Sequence, residues 1–347
     1  MSIALDIGSS HMRSLRRQRY RLIGRSCHSL FTELADRESN REILNRLDVT
    51  HLEINGQLIV PEDSADGIAE FFRIPTTQAI SNDQVVKSSD AARQVIVELV
   101  DALLPTPGHP NEVCCFTVGG ISGDGDVDGS RNEVNQLVAQ TIGRRGYQPL
   151  GIGGATAVSL AELGDQALTG VGITFGAAHC ETALMCHGVE LARSSVERGG
   201  NWIDEQLAEQ QALHIWDQSG NRHLDVRSAR DWKESNVGSI LSPTLVEESQ
   251  LAALYRELVA DVLAAVRDAF TNAPHAFDAL QPVGVVCAGG TASRHGFREI
   301  MFDELRKNPL PFGITPVQIV GAWEYSAARG CLIRATLEEE TVSRRAA

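Results

Sequence analysis

The sequence predicts an α/β protein with two lobes. Short apolar runs alternate with longer segments of helical periodicity along the 347 residues, which is the pattern of sheets covered by helices. A strand that ends in a glycine-bearing turn occurs twice, near residue 6 and again near residue 176. The chain is long enough for two domains, so the repeated pattern indicates two lobes of related construction.

Apolar runs bounded by turn residues are predicted as strands, and longer periodic segments as helices. The predicted strands are residues 3–7, 113–118, 171–175, 182–187, 283–288 and 317–320. The predicted helices are residues 90–104, with Asp90 as the N-cap, 131–144, 155–163, 201–214, 251–271, 296–306 and 323–337. The pair Asn55-Gly56 predicts a tight hairpin turn.

Charge and composition exclude several classes of function. The chain has 31 basic and 45 acidic residues and a net charge of −14, so we expect no nucleic acid partner. No apolar run approaches the roughly 20 residues that cross a bilayer, so we expect no direct membrane insertion. The absence of a leader-like segment and the seven scattered cysteines without C-x-x-C spacing predict a cytoplasmic protein with reduced thiols.

The first glycine-bearing turn, Asp6-Ile7-Gly8-Ser9-Ser10, follows a strand that is predicted to be buried. Backbone N–H groups and hydroxyls in such a turn can bind an anion. An aspartate at the same place suits a hydrated divalent cation between carboxylate and phosphate. An ordinary turn is the alternative, because Gly and Ser are common turn residues.

Two later segments complete an ordered set, residues 170–188 (GVGITFGAAHCETALMCHG) and residues 283–298 (VGVVCAGGTASRHGFR). The set resembles the actin-like superfamily, which includes actin, MreB, FtsA, PilM, the chaperone ATPases and the sugar kinases. The resemblance is greatest to bacterial MreB and to FtsA/PilM-type proteins. Residues 198–204 (RGGNWID) look like the motif that opens a helix in these proteins. Residues 229–233 (ARDWK) look like the segment whose lysine lies near the base and ribose.

The resemblance implies a two-lobed actin-like fold, in which each lobe is a mixed sheet with flanking helices and a nucleotide cleft separates the lobes. Lobe I is then expected at residues 1–168 and 322–347, with a small inserted subdomain at about 31–84. Lobe II is expected at residues 169–321, with an inserted subdomain at about 205–282.

The resemblance also implies ATP or ADP with magnesium as the ligand, and Asp6 as the residue that faces the metal. Arg13 falls where actin carries a phosphate-contacting lysine. The cofactor-binding residues carried over by position are Asp6, Gly8, Ser9, Ser10, Arg13, Thr174, Gly176, Ala177, Gly200, Lys233, Gly289, Gly290 and Thr291.

The sequence departs from the family pattern at two places. Thr174 stands where the second phosphate loop begins with Asp, and Ala177 and Ala178 stand where glycines are usual. Residues 151–157 (GIGGATA) lie where MreB has a glutamate, and actin a glutamine, that positions the attacking water. Glycine cannot orient water, and Glu162 lies about two helical turns further on and should point elsewhere. We therefore assign no catalytic residue and predict weak or absent hydrolysis.

The first functional hypothesis is a bacterial, MreB-like protein that binds ATP or ADP and forms filaments or a cytoskeletal scaffold. The alternative is a nucleotide-free, degenerate actin-like scaffold that binds a protein partner in a membrane-associated complex. A sugar kinase ranks last, because no segment supplies its catalytic aspartate. A cluster of arginines is predicted to be a solvated hairpin whose members, Arg13 excepted, face water: Arg13, Arg16, Arg17, Arg19, Arg21 and Arg25.

Overall fold

The computed structural model describes residues 2–81, 84–86, 89–110, 112–119, 132–216, 220–236, 238, 240–271, 282–315 and 317–346. The described residues form two compact units. Unit 1 contains those of ranges 1–120, 128–151 and 335–347, and unit 2 contains those of range 152–334. The lobe boundaries and inserted subdomains derived from the family resemblance stay a prediction.

The described strands and helices follow in chain order. The strands are β1 (Ile3–Ile7), β2 (His11–Gln18), β3 (Arg21–His28), β4 (Leu30–Ala35), β5 (Leu52–Ile54), β6 (Gln57–Pro61), β7 (Thr77–Gln78), β8 (Ile80–Ser81), β9 (Gln84–Val85), β10 (Val113–Val118), β11 (Gln148–Gly153), β12 (Gly170–Phe175), β13 (Cys180–Cys186), β14 (Val189–Val196), β15 (His214–Trp216), β16 (Arg222–Leu224), β17 (Gly284–Ala288) and β18 (Gln318–Ile319). The α-helices are α1 (Glu38–Arg46), α2 (Asp63–Phe72), α3 (Asp90–Leu103), α4 (Glu133–Arg144), α5 (Gly154–Glu162), α6 (Gly200–Gln210), α7 (Val226–Ser235), α8 (Val246–Thr271), α9 (Phe297–Lys307) and α10 (Ser326–Ala346).

The main sheets of the two units have the same strand arrangement. The first has the order β11-β10-β1-β2-β3, and the second has the order β18-β17-β12-β13-β14. In each, the strand that comes first in sequence is central, with a parallel neighbour on one side and an antiparallel hairpin on the other. The chain therefore uses one strand–turn–strand design twice, and places the turn at the carboxyl end of the central strand each time.

A small sheet of order β5-β6-β4-β7 carries its own apolar cluster, which includes Leu34, Leu44 and Leu58. The predicted turn at Asn55-Gly56 is confirmed. Asn55 and Gly56 have φ values of 50° and 77° and join β5 to β6 in a two-residue hairpin. Two positive φ values are the requirement of a type I′ turn, which Asn-Gly meets with little strain.

The core of unit 2 lies under the long helix α8. Leu258, Val262 and Val266 on this helix are fully buried, as are Phe175 on β12 and Phe297 on α9. The two phenylalanine rings meet edge to face, with centroids 4.8 Å apart. Each fully buried large apolar side chain contributes about 1.5–3 kcal/mol, so this core fixes the end of β12, where the second glycine turn begins.

Several predicted helix ends are wrong, and local hydrogen bonds explain why. The N-cap of α3 is Ser89 instead of Asp90, because the Ser89 hydroxyl accepts the Ala92 N–H at 3.4 Å. Helix α8 begins five residues before Leu251. There the Glu248 carboxylate accepts the N–H groups of Thr244 and Leu245, at 2.7 and 3.2 Å, and caps the helix start. Along the described residues, no helix is both long and apolar enough to cross a membrane.

Candidate functional site

The central strand of each main sheet ends in the same four-residue turn. The Gly8 N–H donates to the His11 carbonyl at 3.1 Å, and the Gly176 N–H donates to the His179 carbonyl at 3.1 Å. A Cβ atom on either glycine would lie 2.7 Å from that carbonyl oxygen, which is closer than real Cβ atoms approach. Both turns therefore require glycine at their first position.

Each turn leaves two consecutive backbone donors after its glycine. Within the part of the chain that the structure describes, the N–H groups of Ser9, Ser10, Ala177 and Ala178 have no acceptor. Successive N–H groups of this kind form a concave anion site. The two alanines do not prevent the second turn from adopting the geometry of the first, although they stand where the family usually has glycine.

Asp6 lies near the end of β1 and contacts groups on two neighbouring strands. The Ile7 N–H donates to the Thr117 hydroxyl at 2.7 Å, and that hydroxyl donates to Asp6 Oδ1 at 3.3 Å. Arg13, directly opposite on β2, places Nη1 3.9 Å from Asp6 Oδ2. The Asp6 side chain is 20% exposed. One partly exposed carboxylate beside the Thr117 hydroxyl fits a magnesium ion that keeps most of its water, which is how Mg²⁺ usually binds with phosphates.

In unit 2 the Gly176 carbonyl is the meeting point of segments that are far apart in sequence. It accepts the Gly200 N–H at 3.0 Å and the Thr291 hydroxyl at 3.0 Å. The Asn201 N–H donates to the Ala177 carbonyl at 2.8 Å. The structure thus brings together predicted site residues from three segments. Loop carbonyls also accept the first N–H groups of α6, so these groups are already bonded within the protein.

The Gly-Gly pair after β17 lies against the same loop. Gly289 has a φ of 111°, and a Cβ there would overlap the Phe175 carbonyl oxygen. A Cβ on Gly290 would lie 3.1 Å from the Trp323 ring. Trp323 was not among the predicted site residues, because it follows the Gly-Gly pair by more than thirty positions in sequence. Its ring gives this surface an aromatic face, which is suited to stacking on a planar base.

Lys233, on α7, is held by the start of α6. Its ammonium lies 2.6 Å from Asp204 Oδ1 and donates to the Gly200 carbonyl at 3.1 Å. Arg230 places Nε 3.3 Å from Asp204 Oδ2. The Asp204 carboxylate is 1% exposed, so both cations compensate its burial. The sequence motif therefore places Lys233 beside Gly200, with its charge directed to Asp204.

A carboxylate that the sequence analysis did not select lies beside Thr174. Thr174 and Glu181 are direct neighbours across β12 and β13, so their side chains share one face of the sheet. Glu181 Oε2 accepts the Ala155 N–H at 3.2 Å, and Oε1 lies 3.3 Å from His179 Nε2. Burial raises the pKa of Glu181, but His179 and the N–H groups of Ala155 and Gly154 together outweigh burial and hold it below its usual range. Glu181 is therefore an ionised carboxylate that is largely, but not fully, buried, with 12% of its side chain exposed.

Glu181 puts a negative charge at the first turn of α5, which has no acidic residue of its own. The prediction that Glu162 points elsewhere is confirmed, because Glu162 accepts the Ser326 hydroxyl at 2.8 Å and contacts Arg329. The signal for Glu181 was present in the sequence. A strand–turn–strand closed at Gly176 pairs residue 174 with residue 181, and a charged residue within an apolar strand at that register is unusual.

Comparison with known proteins gives one family and a common fold. A family model described as Volactin matches residues 1–335. No curated protein matches the chain. A structure of the MamK double helical filament is 16% identical, covers 97% of this chain and 99% of that chain, and has a TM-score of 0.69.

Two further solved structures have the same fold at similar identity. MreB5 of Spiroplasma citri bound to AMPPNP is 14% identical, covers 99% of this chain and 97% of that chain, and has a TM-score of 0.65. The ethanolamine utilization protein EutJ from Carboxydothermus hydrogenoformans is 14% identical, covers 96% and 89%, and has a TM-score of 0.52. The predicted actin-like α/β fold is therefore confirmed.

Proposed function

The chain belongs to the Volactin family, and on that basis we propose that it is an actin-like protein that binds ATP or ADP with magnesium and assembles into filaments or a scaffold. The observation that carries the proposal is the repeated turn that ends β1 and β12. Both turns have the same hydrogen bond and leave two donors each, which is the arrangement that phosphate groups need. The similar MreB5 structure is described as bound to AMPPNP, in agreement with this proposal.

Each unit carries one glycine turn that is suited to phosphate. In unit 1 the N–H groups of Ser9 and Ser10 and the Arg13 guanidinium contact phosphate oxygens. Asp6 receives the hydrated magnesium, which offsets the phosphate charge when it is bound. In unit 2 the donors of the second turn, at Ala177 and Ala178, are suited to phosphate oxygens in the same way.

The nucleoside is proposed to lie on the Gly-Gly surface of unit 2. Gly289, Gly290 and Thr291 form a surface without bulky side chains, and the Trp323 ring lies against it. Lys233 fixes Gly200 near this surface through its bond to the Gly200 carbonyl. A Cβ at Gly290 would lie 3.1 Å from the Trp323 ring, so glycine lets this ring lie close to the backbone, where its aromatic face is available to a purine base.

We propose that hydrolysis is weak or absent. A general base works best when its pKa lies near the working pH, whereas the pKa of Glu181 lies below its usual range. Both Glu181 oxygens already contact protein groups, at Ala155 and His179. The carboxylate at the start of α5 is thus a weak base whose position is fixed by the protein.

Thermal unfolding with millimolar ATP and magnesium, combined with sedimentation, tests the proposal. We expect ATP–magnesium to raise the melting temperature and to increase the pelleted fraction. Asp6→Ala should lose most of the magnesium-dependent part of the shift. Asp165→Ala, which alters an exposed aspartate outside the turns, is the matched control and should behave like the unaltered chain. Absence of any nucleotide-dependent shift would refute nucleotide binding.

The second candidate is a nucleotide-free scaffold that binds a protein partner. The observation that favours it is the buried negative charge of Glu181 beside Thr174, which repels a phosphate unless a cation lies near. Under this alternative the chain binds its partner equally well with and without nucleotide. ATP–magnesium then leaves the melting temperature unchanged for both the unaltered chain and Asp6→Ala.

A further inference from the structure

Residues 17–26, at the free end of the β2–β3 hairpin, are exposed on both faces; we call this segment the arm. Tyr20 is 103% exposed, Leu22 51% and Ile23 44%. Among the described strands, β3 pairs only with β2, so its outer edge presents unpaired backbone groups. A two-stranded ribbon with exposed apolar side chains is marginally stable by itself, and an open edge strand is a template for association.

The arm is strongly basic within an acidic chain. It carries four arginines and no acid, and residues 7–32 contain no Asp or Glu at all. Arg17, Arg19 and Arg21 are exposed and have no ion pair within the described part of the chain. The prediction that these arginines face water is wrong for Arg16, which lies below the arm and binds the fully buried Glu112 carboxylate at 3.3 Å. The positive charge is therefore concentrated at the free end of the hairpin.

The base of the arm borders a cavity of about 290 Å³. Ile23 and Arg25 line it from the hairpin, and Leu103 and Pro105 line it from the end of α3. The Arg25 guanidinium donates to the Ala102 carbonyl at 3.3 Å, which fixes one wall. The cavity has room for a large apolar side chain from a molecule that docks on the arm.

Unit 2 carries a surface that matches the arm in apolar content and has the opposite charge; we call it the patch. Leu245 and Val246, at the start of α8, are 54% and 71% exposed. The Asn236 amide donates to Glu248 at 3.4 Å, which places the end of α7 and its exposed Glu234 beside this helix start. The patch consists of Glu234, Leu245, Val246, Glu247 and Glu248.

We propose that the arm of one copy docks on the patch of a second copy of this chain. A second copy is a suitable partner for the arm on grounds of charge. The chain has a net charge of −14 and the arm carries four positive charges, so the rest of each copy has a net charge of −18 and attracts the arm. Leu245 and Val246 would cover the apolar side chains of the arm. Because arm and patch are different surfaces, the contact is heterologous, and its repetition extends a filament unless the rotation closes a ring.

Charge reversal tests this contact, which rests on the assembly part of the proposed function. The arm variant is R17E/R19E/R21E, the patch variant is E234R/E247R, and a third variant combines the two sets. R37E/R144E/R298E is the matched control, since it reverses three exposed arginines outside the arm. The critical concentration for pelleting is measured with ATP and magnesium, and the nucleotide-induced thermal shift of each variant reports folding and binding separately.

We expect the arm and patch variants each to raise the critical concentration about tenfold or more, because attractive contacts become repulsive. The combined variant should regain assembly, since its charges are again opposite, and the control should assemble like the unaltered chain. The proposal is overturned if the arm variant assembles normally or if the combined variant does not recover. It is also overturned if the unaltered chain binds anionic vesicles but does not assemble. If the unaltered chain shows a nucleotide-induced thermal shift but does not assemble, this inference is refuted and nucleotide binding stays intact.

Discussion

The glycine turns give the most direct link from sequence to site, and Gly176→Ala tests them. The new Cβ would lie 2.7 Å from the His179 carbonyl oxygen, whereas ordinary contact begins at 3.4 Å. The turn must open, which breaks the bond from Gly176 to His179 and shifts the Gly176 carbonyl away from Gly200 and Thr291. One lost hydrogen bond costs about 1 kcal/mol, and forced overpacking costs about 1–3 kcal/mol. We expect Gly176→Ala to lower the free energy of unfolding by about 3 kcal/mol.

Gly8→Ala should cost somewhat less than Gly176→Ala. The Gly8 turn shares the 2.7 Å clash, but within the described residues its carbonyl accepts no bonds like those from Gly200 and Thr291. Gly67→Ala is the matched control. Gly67 lies inside α2 with no atom within 4 Å of the added Cβ, so this change should stabilise by about 0.5–1 kcal/mol. Urea unfolding measures all three variants, and ATP titration should show about tenfold weaker binding for the two turn variants. The reasoning is refuted if Gly176→Ala is as stable as Gly67→Ala and binds ATP normally.

Three further predictions concern buried charge. Asp204→Ala leaves the Lys233 ammonium without its carboxylate and should lower the free energy of unfolding by about 3–5 kcal/mol. The double variant Asp204→Leu/Lys233→Met should lower the free energy of unfolding by less. An equal or larger loss in the double variant would contradict the ion-pair account. Burial and the charges of His28 and Arg13 lower the pKa of His11 from 6.5 to about 4, although the charge of Asp63 acts in the opposite direction. As pH falls, His11 is therefore protonated in the unfolded chain before it is protonated in the folded chain, so the free energy of unfolding should fall as pH drops from about 6.5 towards 4. In urea titrations, His11→Gln should reduce this dependence of stability on pH. The lowered pKa of Glu181 contributes stability that is present above its usual pKa and is lost as pH falls through the folded-state value. Glu181→Gln should remove this loss of stability at low pH. It should also tighten ATP binding in EDTA, and weaker binding would argue against repulsion between Glu181 and phosphate.

The sequence predicted the central strands because their apolar runs end sharply at turn residues. The strands at residues 3–7 and 113–118 match β1 and β10. Strand β14 was missed, since most of its residues are half-buried and it lacks a continuous apolar run. The predicted helix 201–214 ends at Gln210, because Ala212 has a φ of 53° and the chain then enters β15. Local patterns therefore identify fully buried elements better than edge strands or helix ends.

The candidate site was predictable where one residue type is required by the backbone. Gly8, Gly176 and Gly289 each lie where a Cβ would meet a carbonyl oxygen, and all three were selected from sequence. Glu181 and Trp323 were missed because their importance depends on neighbours that only pairing and packing reveal. Lys233 was selected, but its bond to the buried Asp204 depends on how α6 and α7 pack, which no short motif encodes.

Isothermal titration of the purified chain with ATP, with and without magnesium, tests nucleotide binding most directly. The account predicts saturable binding that weakens when magnesium is removed and weakens again in Gly176→Ala, with Gly67→Ala unchanged. Absence of heat at millimolar ATP, together with an unchanged melting temperature, would contradict it and leave the nucleotide-free scaffold as the better description.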